Sequence, residues 1–203
     1  MSKRRRQPMR LKLNPSPVPP TQHEIDAILL ATDAIISLAR RAGVVLILKG
    51  SRSQKALRWK WDELPEYGLL RDLTTAEIGQ KVDWCIQQNW IRLECERDGI
   101  PLLFHTPWGW ERVKELWVQR VLGWFEGWLA AGQPEQVWPR LEEIHRDIKL
   151  MTLDEIARRH DARFVPILRA WFPHKVRKVR SAINETLESL GQPRLSEPRD
   201  KGH

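Results

Sequence analysis

Three Thr-x-x-Glu quartets punctuate the chain, at Thr21/Glu24, Thr74/Glu77 and Thr152/Glu155, each at a plausible helix boundary. Such a capping box satisfies two orphan backbone donors of a helix N-terminus reciprocally, so three boxes predict three helix starts and commit the chain to a mainly helical fold. The first predicts a helix from Thr21 to about Ala42, with Ile25, Ile28, Leu29, Ile35, Ile36 and Leu38 on its inner face and Gly43 ending it. Val44 to Leu48 is a five-residue apolar run that reads as a short buried strand. Lys49 to Ser53 turns the chain into a second helix, about Gln54 to Trp61, and the second box opens a third from Thr75 to about Asn89.

The pattern then changes period. Ile91, Leu93 and Cys95 alternate with Arg92, Glu94 and Glu96, Asp98-Gly99 is a two-residue hairpin signal, and Leu102 to His105 returns as the partner strand. Thr106 and Pro107 suit the N-cap and first position of a long helix to about Ala131. Helix, short strand, helix, helix and a two-stranded wing is the winged-helix order, whose commonest use is DNA binding. Beyond Gly132 the pattern predicts a helix from about Pro134 to Lys149, a short one from the third box, then Asp161 to Phe172 and His174 to Leu190. Phe164 to Leu168 with Val176 to Leu190 resembles a single HEAT-type repeat. The expected fold is therefore mainly α with a small β wing. Its parts are a disordered basic arm (1–20), a winged-helix domain with a long Trp-rich helix (21–131), a helical module with one HEAT-like repeat (132–191) and a disordered tail (192–203).

Charge narrows the function. The 203 residues carry a net +8, distributed unevenly. Residues 1–20 hold six bases, five prolines and no acid; residues 21–138 hold 14 bases against 16 acids; residues 139–203 hold 14 against 10. The arm cannot bury enough apolar surface to offset ordering, and reads as a solubilising tail or a phosphate-binding arm; Lys3-Arg4-Arg5-Arg6 would also suit nuclear import. Within the nearly neutral middle, residues 49–60 contain Lys49, Arg52, Lys55, Arg58 and Lys60 and no acid. A second run, Arg169 to Arg180, includes Lys175, Arg177 and Lys178 without an acid, and suits either a phosphate patch or a solvated face.

Three stretches resemble one family, the RQC domain, a winged helix that follows the motor of RecQ-type DNA helicases. Val45 to Lys55 (Val-Leu-Ile-Leu-Lys-Gly-Ser-Arg-Ser-Gln-Lys) is similar to its apolar run followed by basic-Gly-Ser-x-Ser-x-basic. Tyr67-Gly68-Leu69-Leu70-Arg71-Asp72-Leu73-Thr74 resembles its aromatic-Gly turn. Leu102 to Gly109 resembles its second wing strand and Thr-x-x-Gly exit. The resemblance covers about residues 24–120 and is nearest to the stand-alone bacterial RQC-minor type. It implies that Lys49, Ser51 and Lys55 grip the phosphate backbone. The residues agree by themselves: Ser51 and the amides of Gly50, Ser51, Arg52 and Ser53 stand at a predicted helix N-terminus, which favours an anion, with Arg58 one turn on. On the third helix Gln80, Lys81, Gln87 and Gln88 lie off the apolar face and are candidates for groove or backbone contact. The wing loop, Arg97-Asp98-Gly99, lacks the aromatic of a strand-separating tip, and no Gly-rich P-loop or helicase motor is present.

The expectation is a non-catalytic DNA-binding protein with structure rather than sequence preference for duplex, forked or junction DNA. The alternative is an adaptor recruiting a helicase or nuclease; RNA is a third ligand that charge allows. No cofactor and no metal site is expected: Cys85 and Cys95 form no ligand spacing with the six histidines, and both read as free thiols of a cytoplasmic protein, nucleoid-associated in a bacterium. No apolar run is long enough to span a membrane. Trp110, Trp117 and Trp124 recur every seven residues, a packing stripe to be covered by the C-terminal helices or by a homodimer partner. Trp59, Trp61, Trp84 and Trp90 read as packing or semi-exposed surface rather than a base-stacking set.

Overall fold

The computed structural model of the chain describes residues 12–36, 38, 40–95, 100–132 and 141–196. It divides into two compact units, Met1–Val113 and Lys114–His203. The first unit runs α1 (Gln22–Asp33), α2 (Arg41–Lys49), α3 (Gln54–Arg58), a 3-10 turn (Trp61–Glu63) and α4 (Thr75–Gln87). β1 (Ile91–Cys95) and β2 (Pro101–His105) follow, antiparallel, with Leu93 opposite Leu103. The division falls inside α5 (Pro107–Ala130), and the second unit continues through α6 (Arg146–Arg159), a 3-10 turn (Ala162–Phe164), α7 (Val165–Trp171) and α8 (Arg177–Ser189). The mainly helical fold with a small two-stranded sheet is the expected class. The wing loop at 97–99 and residues 134–140 lie outside the described residues; the described remainder of the helix expected from Pro134 to Lys149 is broken before Arg146, where α6 begins.

Two boxes close as the sequence predicts: the Thr21 and Thr74 amides donate to Glu24 and Glu77 at 2.8 and 2.7 Å, and both hydroxyls accept in return. The third does not start a helix. Thr152 is fully buried inside α6 and its hydroxyl donates to the Ile148 carbonyl at 2.8 Å. The cap is His145, whose Nδ1 accepts from the Asp147 amide. Thr-x-x-Glu is also ordinary i, i+3 helical spacing, and burial of Ile148 and Leu153 decides for a continuous helix.

A second correction concerns residues 34–50. α1 stops at Asp33, and Val44 to Leu48 lies in α2 rather than in a strand. Periodicity alone does not separate a short apolar run from a helix buried on several faces. Val44, Ile47 and Leu48 are fully buried and Val45 nearly so. Gly50, at φ 70°, ends the helix: its amide donates to the Ile47 carbonyl and that of Ser51 to Leu46, the paired pattern that favours glycine.

The core of the first unit is built from Ile28 and Leu29 of α1, Ile47 and Leu48 of α2, Ile78 and Val82 of α4, and Leu103 of the wing. Against it lies a buried carboxylate, Asp83, which accepts from Arg41 Nε at 2.6 Å, Arg41 Nη2 at 2.9 Å and the Asn14 amide at 2.9 Å. The Ser16 amide donates to the Gln80 carbonyl, so residues 14–16, expected to belong to the arm, are tied to α4. Cys85 is buried and free, and burial pushes its thiol up to about 12.

In the second unit Phe125 is fully buried against Phe164 and edge-on to Trp171. Val179, Ile183 and Leu187 bury the inner face of α8, and Thr186 Oγ1 donates to the Leu153 carbonyl of α6. Trp117, Trp124 and Trp128 are half-buried and Trp117 meets Trp124 edge-to-face at 6.1 Å. The buried positions of α5 are Val113, Val118, Val121, Leu122 and Phe125, so the aliphatic members of the stripe are more deeply buried than its tryptophans.

The exit from the wing is tight. Thr106 Oγ1 donates to the Asn89 carbonyl and accepts from the Gly109 amide, and a Cβ on Gly109 would lie 2.0 Å from the Trp90 carbonyl oxygen. Gly127, on the same helix, has open space. Gly109→Ala is therefore expected to destabilise by about 3 kcal/mol or more through backbone displacement, and Gly127→Ala to stabilise by about 0.5–1 kcal/mol. Urea unfolding of both variants checks the pair, and equal effects would refute the assigned geometry.

Candidate nucleic-acid interface

The basic run begins where α2 ends. The last carbonyls of α2 take bonds from a later segment: the Gly68 amide donates to Ile47 and the Leu70 amide to Leu48, at 2.8 and 2.9 Å. This crossing brings Gly50 against Gly68, where a Cβ on Gly50 would sit 3.1 Å from the Gly68 Cα. Both glycines have positive φ, and neither position admits a side chain without strain. Around them Lys49, Arg52 and Arg71, with Tyr67, line a pocket of about 200 Å³. Lys49 Nζ donates to the carbonyls of Arg71 and Leu73, at 2.5 and 2.9 Å, leaving one proton. Arg71 Nε donates to the Gly68 carbonyl, and its guanidinium passes over the bare glycine. Arg52 is exposed and has no hydrogen-bond or ion-pair partner among the described residues. Three cations on a glycine-floored concavity suit a phosphate.

Residues 26–114 match the family model of the RQC domain. The chain carries an RQC domain. It is a winged helix of the RecQ type, and its presence points to nucleic-acid binding. No curated protein and no solved structure matches the chain.

The RQC domain does not present all the expected residues in the expected way. The amides of Gly50 and Ser51 close α2, and that of Ser53 donates to Ser51 Oγ, so these three are not open to an anion. Ser53 caps the short α3 through the Ala56 amide. Lys55 and Arg58 are exposed on α3, with the Lys55 ammonium 5.4 Å from the centre of the Trp61 ring. Gln80 and Lys81 are half-buried, and Lys81 pairs with Glu24 at 2.9 Å; α1 and residues 14–16 occupy the side of α4 that they share. Gln87 and Gln88 are exposed. Arg71 and Tyr67 were legible only as parts of the aromatic-Gly motif, not as site residues, because nothing in local spacing places them against Lys49.

A larger open groove, lined by Asp33, Ile36, Arg92, His105 and Trp110 among others, holds one guanidinium and one carboxylate and is mostly apolar. It lacks the excess cation that phosphate requires. Among the described residues no group of three His, Cys, Asp or Glu could hold a metal, and no helix is long and apolar enough to cross a membrane.

In the second unit Lys175, Arg177 and Lys178 are exposed, while Arg180 donates to the carbonyls of His174 and Lys175. Beneath them lies a buried pair. His174 Nδ1 accepts from the Val176 amide, so a neutral ring carries its proton on Nε2, which stands 3.1 Å from Lys149 Nζ. Two donors cannot share that contact, so a charged amine and a ring carrying its proton on Nε2 oppose one another there. Desolvation lowers both groups from their ordinary values, and the charges of Lys149 and Arg180 further oppose protonation of the His174 ring. The unfolded chain then binds more protons than the folded one, so stability rises with pH. The lysine contribution grows from its lowered folded value up to the ordinary 10.5; the histidine contribution is lost as pH falls below 6.5. Urea midpoints between pH 5 and 10.5 are expected to rise with pH, and Lys149→Met to flatten the alkaline part of that rise. A midpoint falling with pH in the wild type and unaffected by Lys149→Met would contradict the lowered lysine.

Proposed function

We propose that the protein is a non-catalytic DNA-binding protein whose RQC domain holds the phosphate backbone in the pocket of Lys49, Arg52 and Arg71, flanked by Lys55 and Arg58. The observation that carries this reading is the convergence of three cations on the Gly50–Gly68 crossing in a domain otherwise close to neutral. The Gln80 and Lys81 side of α4 is largely covered, which leaves only Gln87 and Gln88 of the expected groove contacts exposed and disfavours base readout. Phosphate contact without base readout gives preference for DNA shape, at duplexes, forks or junctions, rather than for sequence. The exposed bases Lys175, Arg177 and Lys178 supply a second, weaker phosphate patch on the other unit. The protein would act in the cytoplasm, where its DNA lies in a bacterial host.

Each neutralised phosphate contributes about −0.9 to the slope of log affinity on log salt. Arg52→Ala with Arg71→Ala is expected to weaken binding to duplex DNA of any sequence and to reduce that slope in magnitude by about 2. Lys49 is the poorer target, because its removal also leaves two carbonyls without their donor. Anisotropy titrations at several salt concentrations measure the slope. Salt-insensitive binding, or an unchanged slope in the double variant, would reject the pocket and favour an adaptor that recruits a helicase or nuclease.

A further inference from the structure

Trp59 is 52% exposed at the end of α3, whereas Trp61, two residues on, is 5% exposed. Exposure alone does not set it apart, since Trp108 is 62% exposed; the backbone beside Trp59 does. Between Trp59 and Trp61, Lys60 holds φ 55°, a left-handed conformation that a long side chain adopts at a cost and keeps only where its surroundings fix it. Those surroundings are visible. The Trp61 ring lies so close to Gly43 that a Cβ there would come within 3.2 Å of it, and Lys55 covers the ring from outside. The reversal at Lys60 thus anchors one indole in the core and holds its neighbour outward on a fixed backbone.

The surface around Trp59 is cationic. Lys55, Arg58 and Lys60 are exposed; Arg58 has no hydrogen-bond or ion-pair partner among the described residues, and Lys60 meets only Glu63 in an exposed pair of the kind worth little. The same acid-free run continues back to Arg52 in the phosphate pocket. A preorganised indole among cations fits a ligand that is anionic and presents flat ring faces, which is single-stranded nucleic acid. We infer that Trp59 is a stacking platform for an unpaired base beside the phosphate grip, so that the protein prefers a duplex end bearing a single-stranded tail over a blunt end. This rests on the DNA-binding reading above.

The test compares a labelled blunt duplex with the same duplex carrying a short unpaired tail, for wild type, Trp59→Ala and Trp59→Phe. Wild type is expected to bind the tailed DNA on the order of ten-fold more tightly. Trp59→Ala should bring the ratio near one while blunt-duplex affinity, its salt slope and the unfolding midpoint stay as in wild type; Trp59→Phe should keep most of the preference. A 2-aminopurine in the tail should be quenched by wild type and not by Trp59→Ala. A tailed-to-blunt ratio that Trp59→Ala leaves unchanged overturns the platform and leaves the phosphate grip standing; absence of salt-sensitive binding to either DNA overturns both.

Discussion

A carboxylate with no access to water sets the frame of the first unit. Charge in such a place is costly unless it is paired and hydrogen-bonded, and Asp83 meets both conditions with the bidentate Arg41 and the Asn14 amide. The pair fixes the start of α2 against the middle of α4. Gly79 makes this possible, since a Cβ there would sit 2.6 Å from the Arg41 guanidinium. With its first residue fixed, α2 delivers its last residues to a determined place, and everything at the Gly50 crossing follows from that placement.

The candidate site is thus a by-product of finishing a helix. The last carbonyls of α2 need donors, which the Gly50, Ser51, Gly68 and Leu70 amides supply. Lys49 stands in the last turn, at the negative end of the helix dipole, where a cation is favoured. Satisfying that helix end and assembling a phosphate pocket use the same two segments. This reverses the polarity expected from the sequence, in which an anion faces a helix N-terminus.

Much of the fold was legible because its signals are local. Reciprocal caps at Thr21 and Thr74, the alternation from Ile91 and the Thr106-Pro107 entry depend on neighbours a few residues away, and each is found where the pattern places it. The failures come where tertiary burial decides between equal local options. Val44 to Leu48 satisfies a strand or a buried helix equally well, and Thr152 can cap a helix or lie within one. In the site, the run from Lys49 to Lys60 was visible as charge, and Arg52 needed no more than that. Arg71 was invisible as a partner of Lys49, since twenty-two residues separate them and only the α2 crossing joins them. Lys81 shows the opposite error: a cation off the apolar face of its own helix is taken up by Glu24 on another.

Lys49 has three protons and gives two to the carbonyls that lead into α4. On the proposed reading the third goes to a phosphate, which makes backbone and ligand parts of one coordination shell around a single ammonium. Occupancy and local order are then thermodynamically linked: a ligand that binds only the closed turn raises its stability, and whatever loosens the turn lowers affinity without touching the pocket. The segment from Tyr67 to Leu73, which bears only one of the three cations, therefore governs how tightly all three can hold a phosphate.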